Sequence, residues 1–157
     1  MGPGVITIRP FRPADIGAAA AMEAACRPQP WTEEIFESEL SAEGRTYLVA
    51  DSDALVGFAG AAVFGEEAHV TNLLVDPAMR GQGVGRRLMI ALIETAVAEG
   101  ANELTLEAAT SHTAARSLYS SLGFAPAGAR RGYYGDDDAL VMRASDVDSP
   151  EYAKGLR

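Results

Sequence analysis

Between Arg80 and Leu88 the chain reads RGQGVGRRL, with glycines at three alternate positions and arginines on both sides. Glycine lets a ligand approach the backbone closely, and exposed N–H groups beside arginines suit an anion. A P-loop requires Gly-Lys followed by Ser or Thr, whereas here Arg86-Arg87 follows Gly85 and supplies no hydroxyl for magnesium. A dinucleotide fingerprint spaces its glycines G-x-G-x-x-G, and counting from Gly81 and Gly83 the third place is Arg86. What remains is an Asp76-Pro77 turn, then Arg80-x-x-Gly83-x-Gly85, then a helix. That is a backbone nest whose N–H groups and helix dipole point at an anion. The single cysteine, Cys26, excludes an internal disulfide and has no His near it in sequence, so it reads as a small buried thiol on a helix. No Cys/His set stands at metal-ligand spacing, and no metal is expected.

The elements that must hold this loop follow from the apolar pattern. Val5–Arg9 alternates as a first strand, and Pro13 opens an alanine-rich helix that runs to about Cys26 and is ended by Pro28 and Pro30. Thr32 caps a short helix over Glu33–Leu40. Thr46–Ala50 and Leu55–Phe64 read as strands joined by a turn at Asp51-Ser52-Asp53, and His69–Val75 as a third such run. After the glycine loop, Val84, Leu88, Ala91, Leu92, Thr95 and Ala96 share one helical face until Gly100. Glu103–Ala108 is a strand, Thr113–Leu122 a helix ended by Gly123, and Phe124–Gly128 and Ala139–Arg143 two further strands. The order favours an α/β (α+β) chain with a mixed sheet of about seven strands and about four helices on both faces. Residues 145–157 are polar, contain Pro150, and are expected to form a flexible tail behind a single domain over 1–144.

Composition bounds the partners. At 157 residues, 48% apolar and 22% charged, the chain is one ordinary globular unit, and it contains no apolar run near the length of about 18 residues that a membrane span needs. The N-terminus lacks a basic segment followed by an apolar stretch, so no secretory signal is expected, and with the lone cysteine this favours a cytoplasmic protein. A net charge of −9 argues against broad nucleic-acid binding and for a cationic partner. Arg80, Arg86 and Arg87 around the glycine loop, and Arg130 and Arg131 before two tyrosines, are local basic spots on this acidic body.

The segment VDPAMRGQGVGRRL resembles the acyl-CoA pyrophosphate loop of the GNAT superfamily of N-acetyltransferases, whose signature Gln/Arg-x-x-Gly-x-Gly/Ala is met by Arg80, Gly83 and Gly85. TLEAATSHTAARSLYSSLGF is similar to the stretch in which that family places a catalytic carboxylate, a cofactor contact and a tyrosine acid. The RimI-type branch, which acetylates the N-terminal amine of ribosomal proteins, also carries an Arg-Arg-Asn-Tyr-Tyr run, here RRGYY at 130–134, and a Pro-Trp pair after its first helix, here Pro30-Trp31. The likeness runs from about Val5 to Arg143. It implies a GNAT fold with a mostly antiparallel central sheet, acetyl-CoA as acetyl donor, and a protein N-terminus as acceptor, with no direct nucleic-acid or membrane binding and a monomer or weak dimer.

The resemblance also implies roles residue by residue. Glu107 takes the position of the base, acting through a water chain; from the residues alone it reads as a solvated strand-end glutamate. Glu67, just before the preceding strand, is the reserve carboxylate. Tyr119 takes the position of the acid, although its neighbours Ala115, Leu118 and Leu122 also make it a packed aromatic. Cofactor contacts fall on Leu73, Leu74 and Val75, where the pantetheine lies like an extra strand in a splayed gap, on Arg80, Gly81, Gln82, Gly83, Val84, Gly85 and Arg86, and on His112. The branch has Asn at the places of His112 and Gly132, so His112 is either a pantetheine donor or a helix-start residue. His69 faces either the reaction gap or the core. Trp31, Tyr133 and Tyr134 would border the substrate, the two tyrosines in a loop between the last strands. Asp136-Asp137-Asp138 reads as a solvated turn that, beside the substrate opening, would attract a basic peptide. Acetylation of a small-molecule amine or a lysine side chain, and a non-catalytic acyl-CoA sensor, are the rival readings.

Overall fold

The computed structural model describes residues 5–134 and 137–156. Its chain order is β1 (Thr7–Pro10), α1 (Ile16–Cys26), α2 (Glu33–Ser41), β2 (Arg45–Asp51), β3 (Leu55–Phe64), β4 (Glu67–Val75), α3 (Val84–Ala98), β5 (Glu103–Ala109), α4 (Thr113–Ser121), β6 (Ala125–Tyr134), β7 (Asp137–Ser145) and α5 (Pro150–Gly155). The seven strands take the order β1-β2-β3-β4-β5-β7-β6. The β4–β5 pair is parallel, and the pairs of β1 with β2, β2 with β3, β5 with β7 and β6 with β7 are antiparallel. This is the mixed sheet that the pattern predicts, mostly antiparallel as the GNAT resemblance implies, with five α-helices among the described residues.

Two compact units divide the chain: residues 1–62 with 72–92, and residues 63–71 with 93–157. In the first, β3 is buried on both faces along most of its length, which is why its sequence is an unbroken apolar run rather than an alternation. Gly57 lies close under the Leu74 carbonyl, 3.0 Å from where a Cβ would stand, and Gly60 leaves room for the Tyr47 ring. An aromatic group fills the space beside α1 and α2. Phe36 meets Phe58 edge-on at 5.4 Å and Trp31 at 5.3 Å, and Phe11 stacks on Phe36 at 5.7 Å. Thr32 caps α2 by accepting from the Ile35 N–H, with Glu33 and Glu34 in the first turn. Before α1, Pro13–Asp15 forms a separate 3-10 turn instead of the helix start expected there. Asp15 accepts the Arg12 N–H at 2.8 Å and both terminal nitrogens of Arg9 at 2.8 Å.

In the second unit, Leu104, Leu106, Leu122, Phe124 and Met142 are buried. Along β5 burial alternates, so Glu103, Thr105 and Glu107 share the half-buried face. The structure departs from the sequence expectations at several places in this half of the chain. Strand β4 begins at Glu67, which places that residue inside the strand rather than before it. Strand β6 continues to Tyr134, because the ladder with β7 extends to Tyr134 opposite Asp137. RRGYY therefore lies on a strand and not in a loop, and Asp137 and Asp138 belong to β7; Asp136 lies outside the described residues. The tail is not loose: Pro150, read as a breaker, sits in the first turn of α5, where its missing N–H costs nothing. Ser149 caps that helix, Val147 is buried, and the Tyr152 hydroxyl donates to the Leu122 carbonyl at 2.6 Å. The expected boundary after residue 144 falls within β7.

Candidate active site

The glycine loop follows a 3-10 turn at Pro77–Met79, which is capped by Asp76 accepting the Ala78 N–H. Its three glycines are not equivalent. Gly81 and Gly83 adopt φ of +80° and +79°, the left-handed region that an L residue enters only with strain. Gly85 lies within α3. A Cβ on Gly81 or Gly83 would meet nothing within 4 Å, so open space faces the backbone there. Arg80 and Arg87 are exposed and Arg86 is half-buried. The first N–H groups of α3 carry no intrahelical partner by construction, and their dipole end faces the same turn. Open space and left-handed backbone at the start of α3, with arginines at positions 80, 86 and 87 of the sequence, could hold the pyrophosphate of an acyl-CoA.

Also in the first unit, Leu73, Leu74 and Val75 end β4, with Leu74 buried and its two neighbours half-buried. The Leu73 carbonyl already accepts a 2.8 Å hydrogen bond from Arg27 Nη2, which also donates to Asn72 Oδ1 at 2.9 Å. Arg27 Nε pairs with Glu23 Oε2 at 2.9 Å. Glu23 is wholly buried and takes two further bonds, from Asn72 Nδ2 at 3.0 Å and from the Trp31 N–H at 2.9 Å. A buried carboxylate left without its cation would cost about 3–5 kcal/mol, so these contacts are a condition of the local fold. Trp31, half-buried against the aromatic group, is thus brought to the β4 end by the same network.

The second unit holds the remaining candidates. Glu107 is half-buried within β5, two residues before its end, rather than at the strand terminus. Tyr119 is buried on α4, its ring 6.1 Å from Phe124 at 61°. His112 is the N-cap of α4, exposed and without a side-chain cap bond, which fits its helix-start reading. His69 is half-buried, and its Nδ1 lies 2.9 Å from Thr105 Oγ1. These two help line a pocket of about 180 Å³ with Phe64, Glu67, Glu103 and Arg143, in which Arg143 pairs with Glu103 at 2.9 Å. Tyr133 and Tyr134 are carried by β6, and their side chains lie outside the described residues.

A sequence profile described as the Acetyltransferase (GNAT) family matches residues 16–124. The chain belongs to this acetyltransferase family. Among GNAT relatives, the ribosomal protein bS18-alanine N-acetyltransferase of Escherichia coli is 35% identical over 140 residues, which is 87% of this chain and 95% of that protein. The N-alpha-acetyltransferase RimI of Mycobacterium tuberculosis is 36% identical over 152 residues, 91% of this chain and 94% of that one. The crystal structure of the ribosomal protein alanine N-acetyltransferase from Escherichia coli superposes with a TM-score of 0.83 at 33% identity, covering 90% of this chain and 94% of the other. The GNAT fold thus accounts for the topology, and acetyl-CoA is the acetyl donor on which the family operates.

Glu23, Arg27 and Asn72 had no place among the residues expected from sequence to form the site. Two signals were present. Asn72 is the one amide in the apolar run His69–Val75, and Glu23 stands four residues before Arg27, the spacing at which helix side chains meet.

Proposed function

We propose that this chain is an acetyl-CoA-dependent N-acetyltransferase that transfers an acetyl group to the N-terminal α-amine of a ribosomal protein in the cytoplasm, by direct attack in a ternary complex. The observation that carries the proposal is the near full-length similarity to an enzyme named as a ribosomal protein bS18-alanine N-acetyltransferase, at 35% identity, and to one named as an N-alpha-acetyltransferase, at 36%. Acetyl-CoA supplies a thioester, whose carbonyl accepts the amine and whose thiolate departs.

Three demands of that reaction fall on this chain's own groups. An α-amine with a pKa of about 8 is mostly protonated at neutral pH and has no lone pair to attack with. Glu107 takes that proton, through water. Backbone N–H groups at the end of β4 donate to the oxygen that gains charge, an arrangement that needs no side-chain chemistry from Leu73, Leu74 or Val75. The Tyr119 hydroxyl gives a proton to the departing sulfur while its ring remains packed. The Arg80–Arg86 loop binds the pyrophosphate, Trp31, Tyr133 and Tyr134 border the acceptor, and the net charge of −9 favours a basic peptide.

The test is thiol release from acetyl-CoA in the presence of peptides with free N-termini, beginning with alanine, beside polyamines, aminoglycosides and peptides blocked at the N-terminus but bearing lysine. The expected result is turnover of the free N-terminal peptides alone. Turnover confined to small amines or to lysine would overturn the proposal.

A further inference from the structure

We infer that Glu23, Arg27 and Asn72 form a positioning unit that fixes the Trp31 segment to the end of β4 and thereby sets the affinity for the acceptor peptide. The inference rests on the reading above that Trp31 borders the acceptor and that Leu73 belongs to the reacting end of β4.

Arg27-Pro28-Gln29-Pro30-Trp31 are five of the six residues between α1 and α2. Two prolines fix φ at alternate positions and leave this segment few conformations. Both of its ends are tied to one carboxylate. Arg27 Nε holds Glu23 Oε2, and the Trp31 N–H holds Glu23 Oε1. The same carboxylate takes Asn72 Nδ2, and the Arg27 guanidinium reaches past it to the Asn72 amide oxygen and the Leu73 carbonyl. A single guanidinium therefore joins the loop to two successive residues of β4. Its planar, forked donors suit that task, and a lysine offers one nitrogen where three acceptors wait. The network is more than core filling: its polar atoms bond the Trp31 N–H and the strand end.

Trp31 is the only tryptophan in the chain, so its fluorescence reports the segment directly. Arg27 is half-buried, and Arg27→Gln removes the ion pair while keeping a side chain that can hydrogen-bond; Arg27→Lys keeps the charge and loses the fork, and serves where the Gln variant does not fold. The expected result, in either variant, is a red-shifted Trp31 emission with greater acrylamide quenching in the substrate-free protein. The KM for the acceptor peptide rises about tenfold, a loss equal to one hydrogen bond of ordinary strength, while the KM for acetyl-CoA stays within about twofold. Unchanged emission with unchanged peptide KM overturns the inference, as do equal rises in both KM values that follow the loss of thermal stability. The emission measurement needs no substrate. A shifted Trp31 in a protein that turns over only small amines would therefore sink the proposed function and leave the positioning of the segment standing.

Discussion

Glu107 stands opposite Val141 in the antiparallel ladder of β5 and β7, so the backbone carrying the candidate base is held in register from that side. Glu107→Gln should therefore leave the strand intact and alter only proton transfer. General-base assistance is worth roughly a hundredfold or more, and the loss should be largest near pH 7, where the acceptor amine is protonated. Above about pH 9 the free amine is abundant without help, and the gap to the unmodified enzyme should narrow. Stopped-time assays of thiol release from about pH 6 to about pH 10, the span over which the acceptor amine titrates, provide the check; a pH-independent ratio removes Glu107 from the role.

Tyr119 combines a buried ring with a hydroxyl, and Tyr119→Phe separates the two. The contact with Phe124 survives the change, so thermal unfolding should shift by only a few degrees, on the order of 1 kcal/mol. The rate should fall by roughly tenfold to a hundredfold if the hydroxyl protonates the departing sulfur. Full activity in the Phe variant would leave Tyr119 as packing alone.

Gly83 has open space around it and a φ of +79°. For Gly83→Ala the fold loses about 1–2 kcal/mol to left-handed strain, while a methyl now projects where the pyrophosphate would approach the N–H groups. Calorimetric titration with CoA should show binding weakened by about tenfold beyond what the stability change explains. Equal binding would mean that the loop is not the pyrophosphate site.

Arg9 holds the Asp15 carboxyl below the ordinary carboxylate value of 3.8, chiefly through the paired hydrogen bonds and with help from the Arg12 N–H, against the opposing effect of burial. Because the folded value is the lower one, the stabilisation is complete above the unfolded value and disappears as pH falls through the folded value. Asp15→Asn should cost about 2 kcal/mol at pH 7. In urea titrations the difference between the two proteins should shrink as the pH drops below 3.8. A difference that is constant across this range would show that Asp15 acts through shape rather than charge.

How much of this was readable from the residues varies with the physics of each segment. Strand β3 is legible to the residue, because a strand buried on both faces writes an unbroken apolar run between turn residues. Thr32 was found as a cap because its hydroxyl acts within one turn. The end of β6 is not legible, since Gly128, Gly132 and the charged pair Arg130-Arg131 look like a loop and only the partner strand supplies the reason for extension. Pro150 misled in the same way: a proline stops a helix in its interior but starts one in its first turn. Within the candidate site, the glycine loop was legible because its chemistry is local. The Glu23 network was not, because it brings together residues 49 positions apart, and a glutamate on an alanine-rich helix looks like one facing water.

The Tyr152 hydroxyl reaches the Leu122 carbonyl one turn beyond Tyr119, whose own carbonyl accepts the Leu122 N–H. Leu122 is thus held on both sides, its N–H by the end of α4 and its carbonyl by a side chain of α5. The last short helix of the described residues therefore acts as a splint on the helix that carries Tyr119.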